Sequence, residues 1–152
     1  MLLRQKARKP ALAPRALHVA VVAARYNSSL VDTLLRHALA TLSQAGVRQI
    51  RVVRVPGSYE VPPVVMKLAG ARRYHAVIAL GVVLQGKTAH AEHITAACAV
   101  NLQRISIETG VPVIHQILTP RNLRDARARV RIRGVEAAQT ALEMARVMVD
   151  LK

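Results

Sequence analysis

Strand-like and helix-like patterns alternate four times along this chain, and the alternation limits what it can fold into. Four short runs rich in Val, Ile and Ala have no polar face, which is typical of strands buried on both faces of a parallel sheet. A segment with an apolar stripe at helical spacing follows each run. The predicted strands cover residues 17–24, 50–55, 75–84 and 112–118.

Because strands and helices alternate, the sequence predicts an α/β fold with three layers, α/β/α, around a four-stranded parallel sheet. Right-handed crossovers make such a sheet doubly wound, in the flavodoxin-like manner. The predicted helices cover residues 28–46, 60–71, 88–108 and 135–149, with a short basic helix over residues 121–129.

Residue types at the predicted helix ends indicate where the helices begin. Ser28 or Ser29 can cap the first helix, because a hydroxyl accepts a hydrogen bond from a free N–H group of the first turn. Thr119 and Pro120 are a cap followed by proline at the first helical position. Gly134 is expected to separate the short basic helix from the last helix.

The chain length suits one domain, since 152 residues bury about 70% of the surface of their unfolded chain. Residues 1–16 are basic and contain two prolines, so we expect a flexible arm there and one domain over residues 17–152. The single cysteine, Cys98, excludes an internal disulfide and a structural zinc site, and no metal is expected. No apolar run approaches the roughly 18 residues of a membrane span, so we expect a soluble, cytoplasmic protein without a membrane partner.

The net charge of the chain indicates which kinds of partner it can bind. Twenty-three Lys and Arg against eight Asp and Glu give a formal net charge of +15. This charge favours an anionic partner, either a phosphorylated substrate or a nucleic acid. With no Phe, no Trp and three Tyr, the chain lacks a platform for stacking bases. A nucleic acid is therefore expected only as a non-specific electrostatic partner.

Ligands of such sheets bind beyond the carboxyl ends of the strands, so candidate site residues are sought in the loops there. Gly86, Lys87 and Thr88 form a glycine turn at a predicted helix start, where free N–H groups suit a phosphate. An ordinary helix cap is the alternative interpretation, and the spacing is not that of a nucleotide P-loop. His90 follows one step later, and its imidazole suits proton transfer.

Other loops at the same edge contribute aromatic, acidic and basic groups. Tyr26 and Tyr59 offer flat surfaces for a ring, and Glu60 offers an acceptor for hydroxyl groups, although each alone could be loop packing. A basic cluster follows the fourth strand, and one member could bind a phosphate while the rest are solvated. Its members are Arg121, Arg124, Arg127, Arg129, Arg131 and Arg133.

Six segments, taken in order, resemble the lumazine synthase family over about residues 17–148. They are RYN (25–27), PGSYE (56–60), GVVLQGKTAHAEH (81–93), ETGVPVI (108–114), LTP (118–120) and RGVEAAQTALEM (133–144). The resemblance implies a transferase of riboflavin biosynthesis. It would condense 5-amino-6-(D-ribitylamino)uracil with 3,4-dihydroxy-2-butanone 4-phosphate to 6,7-dimethyl-8-ribityllumazine, with release of phosphate and water and no cofactor.

The resemblance also implies roles for individual residues. His90 matches the family's proton carrier. The residues that match its phosphate site are Gly86, Lys87, Thr88 and Arg129. The residues that match its aminouracil site are Tyr26, Ser58, Tyr59, Glu60, Val82, Val83, Leu84 and His115.

Two departures from the family bear on these roles. His115 stands where the family usually has Phe, on the part of the ring pocket that a neighbouring subunit supplies. The segment between Arg129 and Gly134 is shorter than usual, so Arg127 and Arg131 are alternatives to Arg129.

The family also implies partners. We expect a homo-pentamer or a pentamer-based shell, with riboflavin synthase as a further candidate partner. The alternative hypothesis is a catalytically weakened shell or binding protein of the same fold that holds anionic cargo or a flavin-like ligand.

Overall fold

A computed structural model describes residues 12–152. Its four parallel strands lie in the order β2-β1-β3-β4. The strands are β1 (His18–Ala24), β2 (Gln49–Val55), β3 (Ala76–Val82) and β4 (Val113–Leu118). The helices are α1 (Ser28–Gln44), α2 (Val61–Gly70), α3 (His90–Thr109) and α4 (Leu123–Asp150), and two short 3₁₀ turns cover Pro14–Ala16 and Ser58–Glu60. Most of the predicted arm, residues 1–11, lies outside the described part of the chain.

Helices cover both faces of the sheet, which confirms the predicted α/β flavodoxin-like class. On β1, Val19 and Val21 pack in one core with α1 and α4. Ala20 and Val22, which point the other way, pack in a second core with α2 and α3. This double burial explains why β1 has no polar face. None of the described helices is long and apolar enough to cross a bilayer.

The prediction that every strand is apolar on both faces is wrong for β2. This strand lies at one edge of the sheet, and Arg51 and Val52 on it are exposed. Arg54, also on β2, forms an ion pair with Asp32 at 2.8 Å. Charged side chains on an edge strand discourage pairing with another sheet, so these arginines suit the position.

Two helix starts differ from the prediction. Asn27, not Ser28 or Ser29, precedes α1, and its backbone is left-handed with φ of 58°. Asparagine adopts this conformation more readily than most residues, and its side chain makes a different contact, described below. The third helix begins at His90 rather than at Thr88, whose hydroxyl oxygen accepts the N–H of His90 at 3.4 Å.

The last two predicted helices are one helix of 28 residues, α4. Its cap is Asn122, whose side-chain oxygen accepts the N–H of Asp125 at 2.8 Å, so the prediction of Thr119 and Pro120 as its start is wrong. Gly134 lies inside α4 and does not break it. A Cβ atom there would come within 2.5 Å of the carbonyl oxygen of Leu34 on α1. The glycine therefore allows the backbones of α1 and α4 to approach closely.

A Gly134→Ala substitution should destabilise the protein. The added methyl group would force α1 and α4 apart, and we expect the free energy of unfolding to fall by about 1–3 kcal/mol. Denaturant unfolding measures this. Gly70→Ala is the matched control, because a Cβ atom at Gly70 meets nothing within 4 Å. Equal stability of the two variants would contradict close packing at Gly134.

Candidate functional site

A cavity of about 560 Å³ lies at the carboxyl ends of the strands. The loop after β1, the 3₁₀ turn after β2 and the first turns of α3 form its walls. Five residues predicted from the sequence come together here. The full lining is Tyr26, Gly57, Ser58, Tyr59, Glu60, His90, His93, Ile94 and Ala97.

Tyr26 stands over Gly57 at one wall of the cavity. Its backbone N–H donates a hydrogen bond to the carbonyl oxygen of Pro56 at 2.9 Å. A Cβ atom on Gly57 would lie 2.8 Å from the Tyr26 ring, so only glycine leaves the ring room at this position. The side chain is 67% exposed, and its face is accessible to a planar ligand.

Glu60 and Ser58 belong to the 3₁₀ turn that forms the next wall. One Glu60 carboxylate oxygen, Oε2, accepts the backbone N–H of Gly57 at 2.9 Å. Within residues 12–152 the other oxygen makes no hydrogen bond. Ser58 is buried against β3, where a Cβ atom on Gly81 would overlap its hydroxyl. The Gly57 bond therefore orients Glu60 and leaves one of its oxygens for a ligand.

Asn27 ties the loop after β1 to the end of β3. Its side-chain N–H donates a hydrogen bond to the carbonyl oxygen of Val82 at 2.7 Å. The N–H of Val83 donates to Leu118 at 2.8 Å. Two backbone groups in the predicted segment Val82, Val83 and Leu84 are therefore already engaged. Asn27 was not among the site residues predicted from the sequence, although an asparagine directly before a helix is a signal for a structural role.

The turn at Gly86, Lys87 and Thr88 is exposed and leads directly to His90. In the described part of the chain, the backbone N–H groups of residues 86–89 donate no hydrogen bond. Gly86 is not required for space, because a Cβ atom there meets nothing within 4 Å. These N–H groups, together with the amino end of α3, can bind an anion by donating hydrogen bonds to it.

Two histidines of α3 line the cavity. His90 is exposed, as a group that exchanges protons with a ligand must be. His93 lies one helical turn further on in the same cavity; its spacing from His90 is consistent with this position, although the sequence indicated no role for it. No cluster of three or more His, Cys, Asp or Glu side chains suited to a metal ion occurs within residues 12–152.

His115 and Arg129 do not line this cavity. His115 lies on β4, the edge strand, where its Nδ1 accepts the N–H of Ile117 at 3.3 Å. Desolvation lowers the pKa of His115, which favours its neutral form.

The three arginines that compete for the phosphate role lie on two different sides of α4. Arg131 donates to the ring of His37 on α1 at 3.1 Å, so it lies on the side of α4 next to α1. Arg127 precedes it by one helical turn and shares that side. Arg129 is rotated about 200° from either one, because each residue advances the helix by about 100°. Geometry therefore separates Arg129 from the other two candidates.

These features define a class: a doubly wound α/β protein with a cavity at the carboxyl edge of its sheet, beside an exposed histidine and a turn with free backbone N–H groups. Residues 16–149 match the family model described as 6,7-dimethyl-8-ribityllumazine synthase. The chain belongs to this family.

Relatives that carry this name are similar over most of their length. The one from Stenotrophomonas maltophilia is 37% identical over 144 residues, which cover 91% of this chain and 93% of the relative. The one from Thermococcus gammatolerans is 39% identical over 137 residues, which cover 88% and 89%. A third, from Xanthomonas oryzae pv. oryzae, is 36% identical over 143 residues, which cover 90% and 93%.

Cys98 should react only slowly with thiol reagents in the folded protein. It is 1% exposed beneath the cavity wall, and its S–H donates to the carbonyl oxygen of Ser58 at 3.3 Å. Desolvation, with a contribution from Glu60, raises its pKa. Reaction with a chromogenic disulfide reagent at pH 8 should be roughly a hundredfold or more slower than in denaturant. Because the chain has one cysteine, an equal rate in both states would show that the thiol is accessible.

Proposed function

We propose that the chain condenses 5-amino-6-(D-ribitylamino)uracil with 3,4-dihydroxy-2-butanone 4-phosphate to give 6,7-dimethyl-8-ribityllumazine, phosphate and water. Family membership supports this reaction. The observation that carries it is the position of His90, exposed in a cavity that also holds Tyr26 and Glu60. The N–H groups of residues 86–89 lie directly before it in the chain.

In this proposal the aminouracil occupies the cavity. The exposed face of Tyr26 packs against its pyrimidine ring, since offset stacking is favourable for planar groups. The ribityl hydroxyls reach Glu60, whose second carboxylate oxygen is an acceptor. Ser58 and Tyr59 complete this wall. Val82, Val83 and Leu84 remain predicted backbone contacts to the ring.

The phosphate of the second substrate binds at the turn formed by Gly86, Lys87 and Thr88. Free N–H groups and the positive end of the α3 dipole stabilise an anion there. The ammonium group of Lys87 adds a full positive charge. The same interactions stabilise the phosphate as it leaves, when its negative charge increases.

His90 then acts as the proton carrier of the reaction. Imine formation between the 5-amino group and the ketone expels water, so a proton must reach the departing oxygen. Elimination of phosphate requires removal of a proton from carbon, and ring closure expels a second water. A neutral imidazole can accept a proton in one step and return it in the next. Its position beside the phosphate turn suits each transfer.

The alternative of a catalytically weakened binding protein is not favoured. The relatives are named as synthases, and the proposed proton carrier and phosphate turn are present in this chain. Of the two features that support that alternative, His115 and the shortened segment before Gly134, His115 does not line the cavity of its own chain.

A His90→Ala substitution should lower turnover about 10²- to 10⁴-fold, with part of the rate retained through substrate positioning. Absorbance of the lumazine product measures the rate, and KM should change less than kcat. The control is His93→Ala, one turn along the same helix and in the same cavity. If His93→Ala cost as much as His90→Ala, proton transfer could not be assigned to His90.

We infer further that adjacent subunits of a homo-pentamer, or of a pentamer-based shell, share the active site. The support is that His115 and Arg129, whose roles the resemblance implies, do not line the cavity of their own chain. Both are exposed and available to a neighbouring copy. A cytoplasmic location and an interaction with riboflavin synthase stay predictions.

Subunit mixing tests this sharing. We expect His90→Ala and Arg129→Gln proteins each to be weakly active, and an equal mixture of their subunits to recover activity. Each site would take His90 from one subunit and Arg129 from the next, so about a quarter of the sites would be intact. No recovery after co-refolding would contradict the shared site. Full activity of Arg129→Gln alone would favour Arg127 or Arg131 as the phosphate ligand.

A further inference from the structure

Two neighbouring cavities lie at the amino ends of the strands, at the opposite end of the sheet from the proposed active site. The first, of about 550 Å³, is lined by His18, Arg48, Gln49, Ile50, Arg51, Arg73 and Tyr74. The second, of about 360 Å³, has Arg72, His75 and Lys152 among its lining residues. Tyr74 lines both, so the two cavities are adjacent.

The walls of these cavities carry cations and no carboxylate. No Asp or Glu lines either one. Five exposed cationic side chains do, and we call them the amino-end basic surface: Arg48, Arg51, Arg72, Arg73 and Lys152. None of the five belongs to an ion pair formed within residues 12–152. These cations are therefore available to an anion that approaches from solution.

Two contacts hold parts of this surface in place. Arg51 donates a hydrogen bond to the hydroxyl oxygen of Tyr74 at 3.4 Å, across the first cavity. His75 accepts the backbone N–H of His18 through Nδ1 at 3.0 Å, so its Nε2 carries the proton when the ring is neutral. Desolvation, followed by the charges of His18 and Lys152, lowers the pKa of His75. The surface is thus partly ordered, with a positive potential that a bound anion would relieve.

We propose that the amino-end basic surface binds the phosphodiester backbone of a nucleic acid, without preference for base sequence. Its cations are spread over two adjacent cavities, which suits a row of phosphates better than a single one. Four of the five are arginines, and one guanidinium group can donate two parallel hydrogen bonds to the oxygens of a phosphate.

The same surface offers no means of reading bases. Tyr74 is the single aromatic residue lining the two cavities besides the histidines; it is half-buried, and its hydroxyl is engaged by Arg51. Stacking on aromatic rings, the usual way to hold single-stranded bases, is therefore not available. Contacts to phosphates position a nucleic acid but carry no sequence information. This binding is independent of the proposed reaction.

The test measures binding of a fluorescently labelled, mixed-sequence single-stranded DNA of about 20 nucleotides by anisotropy, across salt concentrations from about 50 to 200 mM. The variant is Arg48→Gln/Arg51→Gln/Arg73→Gln. The affinity of this variant for DNA should fall at least tenfold. The slope of log K against log salt should also flatten by about two, because each of the three lost phosphate contacts reduces its magnitude by about 0.7. The matched control, Arg36→Gln/Arg121→Gln/Arg124→Gln, loses the same charge elsewhere and should change both quantities less.

Three results would overturn the proposal. Equal loss from both triple variants would show that the whole molecular charge attracts DNA. Loss of DNA affinity only in the variant Arg4→Gln/Lys6→Gln/Arg8→Gln/Lys9→Gln would assign DNA binding to the first residues of the chain. Displacement of the DNA by inorganic phosphate, at a concentration equal to that of the DNA phosphate groups, would indicate a site for small anions.

Circular dichroism checks that the variants are folded. Lumazine formation by the Arg48→Gln/Arg51→Gln/Arg73→Gln variant should be unchanged, because these three arginines lie at the amino ends of the strands, away from the catalytic edge. If lumazine formation failed in the unmodified protein while DNA binding followed the expected pattern, the proposed reaction would be wrong and the basic surface would stand.

Discussion

The hydrogen bond from the Asn27 side chain to the carbonyl oxygen of Val82 is the interaction on which the proposed active site depends. β1 and β3 are neighbours in the sheet, but their following loops lead to helices on opposite faces. Such a divergence opens a crevice at the carboxyl edge of a doubly wound sheet. The Asn27 bond spans the crevice, and leaving the Val82 carbonyl unpaired would cost about 1–3 kcal/mol.

Close packing around small residues then sets the shape of the cavity. Gly57 lets the ring of Tyr26 lie against the backbone, and Gly81 leaves room for Ser58. Gly134 likewise lets α1 and α4 approach closely, because a Cβ atom there would be too close to the Leu34 backbone. Because interiors are as dense as crystals, a methyl group added at such a contact must displace its neighbours. The site is therefore constrained by backbone positions as much as by its polar groups.

The alternation of apolar runs and amphipathic segments was sufficient to predict the parallel sheet, because β1 and β3 are buried on both faces and read as continuous apolar runs. The prediction failed where packing outweighs local preference. Gly134 has the sequence signature of a helix end, yet close contact with α1 retains it inside α4. Thr88 has the signature of a cap, yet α3 begins two residues later.

The candidate site was predictable to the extent that carboxyl ends of parallel strands meet at one edge. That rule predicts that Tyr26, Glu60 and His90 lie together, and all three line the cavity. The same rule could not decide whether Arg127 or Arg129 is the phosphate ligand. The side of α4 on which each arginine lies is fixed only because α4 is one unbroken helix. Nor could the rule find the amino-end basic surface, whose residues are scattered from position 48 to position 152.

The most direct measurement is to mix both substrates with the purified protein and follow lumazine absorbance together with inorganic phosphate. The account predicts that the two products appear in equal amounts, at a rate that is proportional to protein concentration and well above that of the protein-free mixture. A protein that binds the aminouracil but leaves the spontaneous rate unchanged would contradict it.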